Sequence, residues 1–289
     1  MKHPALLQKI FSFFLTKIVT GISVIVSLVA LVEWTGRLIL DETGLVDELK
    51  NVIIGIADAG IALSGYILLF TFYEKRKIRE LSAASFPKNA CTGFLLGLVL
   101  QSLLILIIYI SGSYSIMQVN PVSFLLPGFT LALAAGFVAE IILRGIIFRL
   151  AEEHFGTFVS VIIMMLLFAG IHAAAKGATV LSVCSTAMEA GFLLSAVYIF
   201  SRNLWLPIFL HFAWDFAEPG IFGGINPGIT INKTLFDSTI NGPSLITGEQ
   251  FGPGNSIQSV IICLATGCIF LWLAWRKNNF VLPYRKRKQ

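Results

Sequence analysis

Long apolar runs are the feature that most constrains what this chain can fold into. Runs of about 18 or more apolar residues, the length that crosses a hydrocarbon core, recur along the sequence. Hydrophobic residues make up 56% of the chain and charged residues only 13%, about half the charged share of a soluble protein. The composition therefore indicates a polytopic membrane protein. It excludes a disordered chain, a coiled coil and a disulfide-stapled secreted domain.

The apolar runs predict about eight transmembrane helices, because only helices and closed barrels satisfy every backbone group in lipid and barrel alternation is missing. The predicted spans cover residues 18–40, 52–73, 93–110, 124–148, 157–175, 179–200, 204–217 and 257–275. The predicted fold class is all-α, with a polar intramembrane site on spans four, five and seven.

The sequence contains no internal repeat and no stretch typical of a soluble domain, so residues 1–289 are predicted to form a single membrane domain. Within it, residues of about 120–220 carry the motifs described below. Residues 218–256, rich in Gly, Pro, Asn and Ser, are predicted to form a long non-cytoplasmic loop. Residues 276–289 are predicted to form a basic cytoplasmic tail.

Basic residues concentrate at one side of the predicted helix stack. They are Lys2, Lys9, Lys17, the cluster at 75–79, Arg149, Arg202 and the tail. Under the positive-inside rule this pattern predicts two cytoplasmic termini in an integral membrane protein, for which a bacterial or archaeal plasma membrane is expected. Membrane lipid is thus an expected partner and nucleic acid is not, although the net charge is +5. The oligomeric state is left open.

Several ionisable side chains fall inside the predicted spans, where they are costly and usually functional. They are Asp58, Glu140, Arg144, His172, Glu189, His211 and Asp215. A helical spacing of four residues places three pairs on shared faces: Glu140 with Arg144, Phe168 with His172, and His211 with Asp215.

Each of these groups has a structural interpretation as well as a functional one. Glu140 and Arg144 could form a buried salt bridge, and an intramembrane His could hydrogen bond a neighbouring helix. For the isolated Asp58 and Glu189, a structural or vestibule role is favoured. Two His, carboxylates and an Arg on nearby helices nevertheless supply what water activation needs: a base, an imidazole and an oxyanion partner. The same set is similar to a two-His-plus-carboxylate metal site.

Three motifs on these spans resemble the CAAX-protease and bacteriocin-processing (Abi) family of intramembrane endopeptidases. Residues 139–145, Ala-Glu-Ile-Ile-Leu-Arg-Gly, are similar to the family's EExxxR motif. Residues 168–172 match its FxxxH motif, and residues 211–215 match its HxxxN/D motif. Each motif alone is weak, but all three, in order and on suitable helices, are specific.

The resemblance implies hydrolysis of peptide bonds in a membrane-associated peptide or lipidated protein, near the cytoplasmic leaflet. In the family's metal-free scheme the first Glu of EExxxR and the His of FxxxH activate water, while HxxxN holds the carbonyl oxygen. Carried over, His172 would orient or deprotonate water, His211 would face the oxyanion, and Arg144 would brace the glutamate region. No cofactor is expected, although zinc held by His172, His211 and a carboxylate is the alternative.

Two positions depart from the family pattern. Ala139 stands where the family has its first Glu, and the neighbouring Glu140 points about 100° away on a helix. The chain is therefore expected to be impaired, either as a family member that has lost its base or through an engineered substitution. Asp215 stands where Asn is more usual, and an ionised Asp cannot donate a hydrogen bond to an oxyanion.

Two other functions remain open at this point. A non-catalytic protein, such as a bacteriocin self-immunity factor or a membrane chaperone, could use the same cavity for binding. A small transporter could use the intramembrane charges as a proton relay, but transporters of this kind usually carry inverted repeats, and none is found here.

The predicted helix ends leave one geometric difficulty. Measured from the cytoplasmic ends at 1.5 Å per residue, His172 lies deeper than Glu140 and His211. The three can meet only if span four continues to about Glu153, or if span five is tilted, displaced or broken.

Overall fold

The computed structural model describes residues 13–224 and 233–284. The predicted topology markers Lys2 and Lys9, and the last residues of the predicted basic tail (285–289), lie outside these ranges. In the described part, the chain is built almost entirely of helices that run back and forth across one layer, as an all-α polytopic membrane protein should.

Eight helices correspond to the predicted spans in the described residues. They are α1 (Phe14–Leu40), α2 (Asp47–Tyr73), α3 (Phe86–Ile110), α4 (Val122–Phe155), α5 (Thr157–Ala173), α6 (Val180–Ser201), α7 (Trp205–Phe216, continued by Ala217–Ile221) and α8 (Ile257–Arg276). Of the helices in the described ranges, six are long and apolar enough to cross a membrane. The other two, α5 and α7, are shorter, with 17 and 12 residues before any continuation.

The helix ends fall into two sets. Lys17 at the start of α1 pairs with Glu74 after α2 (2.9 Å), and Glu74 also pairs with Arg149 near the end of α4 (2.9 Å). We call this side the termini end. At the opposite side, which we call the loop end, Gln250 donates a hydrogen bond to the carbonyl of Gly177, between α5 and α6 (2.8 Å). The basic residues that were predicted to share one side of the helix stack therefore lie at the termini end, as far as they belong to the described residues.

Helix α4 extends further than predicted. It continues as one helix of 34 residues to Phe155, where Gly156 turns the chain with a φ of 85°. The predicted end at residue 148 is therefore wrong, and the continuation past Glu153 resolves the depth difficulty. The end of α4 at Phe155 and the start of α5 at Thr157 adjoin the same turn. Glu140 and His172 lie equally many residues from these two helix ends, so they reach about the same depth.

The loop end contains regular structure that the sequence did not predict. Strand β1 (Tyr114–Val119) pairs antiparallel with β2 (Phe236–Ile240), with a β-bulge between Ile116 and Gln118. The predicted loop 218–256 also contains a helical turn, Ser244–Thr247. Its expected start at Glu218 is wrong, because α7 continues to Ile221.

Small residues bring the central helices into close contact. A Cβ atom on Gly97 of α3 would lie 2.5 Å from the backbone oxygen of Leu210 in α7. A Cβ atom on Gly191 of α6 would lie 2.7 Å from Cα of Met165 in α5. Such close backbone approach is typical of helix packing in membranes. It sets α7 against α3 and α6 against α5, which positions the site described next.

Candidate active site

Helix α4 departs from α-helical geometry around its motif. Residues Ala134–Ala139 and Ile141–Phe148 are π-helical, on either side of Glu140. Parts of α6 (Ala187–Leu193) and α7 (Ala217–Ile221) are π-helical as well. π-helical segments are uncommon and concentrate at functional sites. Their occurrence on three helices around one region therefore indicates a functional site there.

Glu140 and Arg144 form a fully buried ion pair. The Arg144 guanidinium donates a hydrogen bond to Oε1 of Glu140 (2.6 Å), and neither side chain is exposed. Arg144 also donates to the backbone carbonyl of Ala190 in α6, and its guanidinium lies 5.2 Å from the ring centroid of Phe168 in α5. Through Arg144, the pair thus connects α4 with both α5 and α6.

His211 of α7 is held between two carboxylates. Its Nδ1 lies 2.9 Å from the same Oε1 of Glu140, and its Nε2 lies 3.6 Å from Asp215 Oδ2. The first distance is a hydrogen bond, whereas the second is too long for one and fits an ion pair with a protonated imidazole. His211 and Asp215, which share a face of α7, are therefore not directly hydrogen bonded, and the hydrogen bond to Glu140 holds the imidazole ring in place.

A cavity of about 210 Å³ lies beside this network. Its ionisable lining residues come from three helices and are His172, Glu189, His211, Asp215 and Glu218. Its other walls include Phe168, Trp214 and three residues that precede α8, namely Phe251, Gly254 and Asn255. The cavity therefore unites the FxxxH and HxxxN/D motifs with acidic groups of α6 and α7.

The cavity lies toward the loop end of the helices. His172 is in the last turn of α5, and Asp215 and Glu218 are in the last turns of α7. The segment before α8 covers it: the ring of Phe251 lies 4.9 Å from that of His172, and Thr186 contacts the side chain of Asn255 (3.3 Å). The cavity therefore lies at the end of the helices opposite to the termini end, which the charge pattern predicts to be cytoplasmic.

The structure separates the predicted site residues into two groups. His172, His211 and Asp215 line the cavity, whereas Glu140 and Arg144 lie behind it in the buried ion pair. Ala139 is half-buried and is not among the lining residues. The histidines and acidic groups of the described ranges include no group of three placed to hold a metal ion.

Two further carboxylates belong to the cavity wall. Glu189, for which the sequence favours a structural or vestibule role, faces the cavity, and so does Glu218, at the predicted start of the loop. Gln101 of α3 is fully buried and donates a hydrogen bond to Glu218 (3.0 Å). An amide in the middle of an otherwise apolar span was the sequence signal that could have indicated a buried polar partner.

The helices that carry the motifs match a known protein family. The sequence model of the family described as Type II CAAX prenyl endopeptidase Rce1-like matches residues 121–217. The predicted family resemblance is confirmed for this segment. The Rce1-like segment includes α4, α5, α6 and most of α7, and with them every predicted site residue. No curated protein and no solved structure matches the chain.

The Rce1-like segment does not include the whole cavity. Glu218 lies immediately after it, and the covering residues Phe251, Gly254 and Asn255 come from the chain beyond it. The chain thus carries the motif helices of a CAAX-type intramembrane protease family, and the cover of the cavity comes from residues beyond the matched segment.

Proposed function

We propose that this protein is an intramembrane endopeptidase of the CAAX type that hydrolyses a peptide bond in a membrane-associated peptide or lipidated protein. One observation carries the proposal: two imidazoles and two carboxylates of the segment that matches this protease family line a single cavity, together with Glu218 immediately after that segment. Polar groups inside a membrane domain are costly and are kept where they perform chemistry. The same match supports an integral membrane location, and the basic termini end supports cytoplasmic termini.

In this proposal the two imidazoles have different roles. His172 orients the attacking water, because its Nε2 is buried without a hydrogen-bond partner in the described part of the chain. His211, protonated between Glu140 and Asp215, presents an N–H toward the oxyanion that forms on the carbonyl carbon. Arg144 acts indirectly by neutralising Glu140 and holding it against His211. Asp215 stabilises the charge on His211 and, as an ionised carboxylate, cannot donate a hydrogen bond to the oxyanion.

We propose further that Ala139 slows this hydrolysis. The family's first motif Glu corresponds to Ala139, and a methyl group cannot accept a proton. Loss of a positioned base lowers a rate by roughly 10²–10⁴-fold. Support for this part of the proposal comes from the correspondence of the motif. Whether the residue is natural or engineered does not alter the expected rate.

The test is cleavage of defined peptides by the purified protein in detergent or liposomes. Peptides with a C-terminal CAAX sequence, each with and without a prenyl group on the cysteine, are incubated with the chain and with its Ala139→Glu variant. Products are identified by mass spectrometry. We expect slow cleavage by the chain, faster cleavage by Ala139→Glu, and none by His172→Ala in either background.

A non-catalytic function is the second candidate, because Ala139 removes the residue to which the family owes its base. A self-immunity factor or membrane chaperone would bind peptides in the cavity without cutting them. Binding of the same peptides with no product, by both the chain and Ala139→Glu, would contradict the endopeptidase proposal and favour this one.

A further inference from the structure

The carboxylates around the cavity differ in what they already bind. Glu140 is fully buried, and its Oε1 accepts hydrogen bonds from Arg144 and His211. In Glu218, Oε2 accepts from Gln101 and Oε1 accepts from the backbone N–H of Gly254, each at 3.0 Å. Glu218 is therefore engaged through both oxygens. Oε2 of Glu140 has no hydrogen-bond partner in the described residues, but Glu140 lies behind the cavity, so neither carboxylate is well placed to accept a proton from a water there.

Asp215 is not free either, because it faces the imidazole of His211 at 3.6 Å. A carboxylate that stabilises a protonated imidazole holds its negative charge for that purpose. If it took a proton from water, it would weaken the oxyanion partner at the moment the oxyanion forms.

Glu189 is the exception among these groups. It lines the cavity from the π-helical part of α6, and in the described part of the chain no group donates a hydrogen bond to it. Its Oε2 would lie 3.4 Å from a Cβ atom placed on Gly254, and Glu218 Oε2 would lie 2.8 Å from the same point. The Glu189 carboxylate thus reaches the covering backbone that also borders Glu218.

The surroundings of Glu189 contain the other group that water activation needs. His172 lines the same cavity, and its Nε2 is buried with no hydrogen-bond partner in the described residues. An uncommitted carboxylate and an uncommitted imidazole nitrogen thus border one space. A cavity of about 210 Å³ has room for a peptide group and a few waters, at about 30 Å³ per water.

We propose that Glu189 is the proton acceptor that activates water in this chain, in place of the Glu that the family motif has at position 139. The inference rests on the proposed endopeptidase function. Glu189 takes one proton from a water that His172 orients, while the water oxygen bonds to the scissile carbonyl carbon. The C–N bond then breaks, and Glu189 returns the proton to the departing nitrogen. The products are a carboxylic acid and an amine.

The experiment is a set of single and double variants assayed on a peptide that the chain cleaves. Glu189→Gln keeps the shape of the side chain and removes its ability to accept a proton. We expect it to lower kcat by roughly 10²-fold or more, and Glu189→Asp to retain part of the activity. The matched control is Glu33→Gln, the same change at a Glu of α1 that pairs with Arg37 and lies outside the cavity wall. It should leave kcat unchanged.

The Ala139→Glu background separates a catalytic from a structural role. If a Glu at 139 supplies a second base, Glu189→Gln should cause a much smaller loss there than in the chain itself. A structural role would instead give the same loss in both backgrounds, with a lowered melting temperature in detergent. That result would overturn the inference, and so would full activity of Glu189→Gln in the chain.

The failure of this inference can be told from the failure of the proposed function. If the chain cleaves and Glu189→Gln cleaves equally well, hydrolysis stands and the assignment of Glu189 is wrong. If only Ala139→Glu cleaves, the endopeptidase function stands and Glu189 is not a base. If neither the chain nor Ala139→Glu cleaves any peptide of the set, both proposals are wrong.

Discussion

The buried pair of Glu140 and Arg144 allows a stability prediction with an internal control. Glu140→Gln keeps the volume of the side chain and removes its charge. Arg144 is then left fully buried with no carboxylate to neutralise it, and only neutral groups, the introduced amide oxygen, the carbonyl of Ala190 and the ring of Phe168, remain near its charge. Removing one member of a buried ion pair destabilises a protein by about 3–5 kcal/mol, because the other charge stays buried without compensation.

The control is Glu33→Gln in α1. Glu33 and Arg37 have the same residue types at the same i,i+4 spacing, but their side chains are 43% and 56% exposed. Long charged side chains near a helix end reach the membrane interface, so their pairing contributes less than about 1 kcal/mol. The two substitutions therefore differ mainly in the burial of the pair that they break.

The assay is thermal unfolding in detergent, followed by circular dichroism. With about 2–4 °C per kcal/mol for a chain of this size, Glu140→Gln should lower the melting temperature by roughly 6–20 °C. Glu33→Gln should lower it by at most about 4 °C. Equal shifts for the two variants, or a Glu140→Gln protein as stable as the parent, would refute the argument that burial makes this pair important.

Three further predictions follow from particular contacts. Asp215→Asn should keep the melting temperature and change kcat. The change can be a rise, because Asn can donate a hydrogen bond to an oxyanion. Unchanged kinetics with a large drop in melting temperature would instead assign Asp215 to packing. Elemental analysis of purified protein should show no tightly bound metal, and one zinc per chain that is lost in His172→Ala would contradict this. Burial acts to raise the pKa of Glu80, but hydrogen bonds from Arg76 and Tyr66 hold that pKa below its usual range. Stability should therefore fall as the pH drops below about 4.3, toward the lowered pKa, and pH-dependent melting of Glu80→Gln should lack this part of the loss.

The fold class could be predicted from the sequence for a simple physical reason. A lipid core imposes one requirement on every span, namely enough consecutive apolar residues in a helix, and that requirement is visible residue by residue. The eight predicted spans each correspond to a helix in the described part of the chain. The sequence also identified the three motifs, because the spacing of His211 and Asp215, or of Glu140 and Arg144, is local.

The site depended on contacts that no local pattern encodes. Glu140 and His211 are 71 residues apart in the sequence, and the helical spacing that pairs Glu140 with Arg144 and His211 with Asp215 does not predict the hydrogen bond between Glu140 and His211. Which groups line the cavity was likewise decided by helix packing: Glu189 faces it, while Glu140 is turned away and neutralised by Arg144.

Tertiary structure also determined the cover of the cavity and its place in the membrane. The covering residues Phe251 and Gly254 come from a stretch whose composition suggested only a loop, and they meet His172 and Glu218 through long-range contacts. The charge pattern indicated which helix ends lie together but not at which end the polar groups converge. Apolar length is a property of each segment by itself, whereas a cavity exists only between segments. The sequence alone therefore determined the helices and the motifs, and only their packing decided which side chains share a cavity.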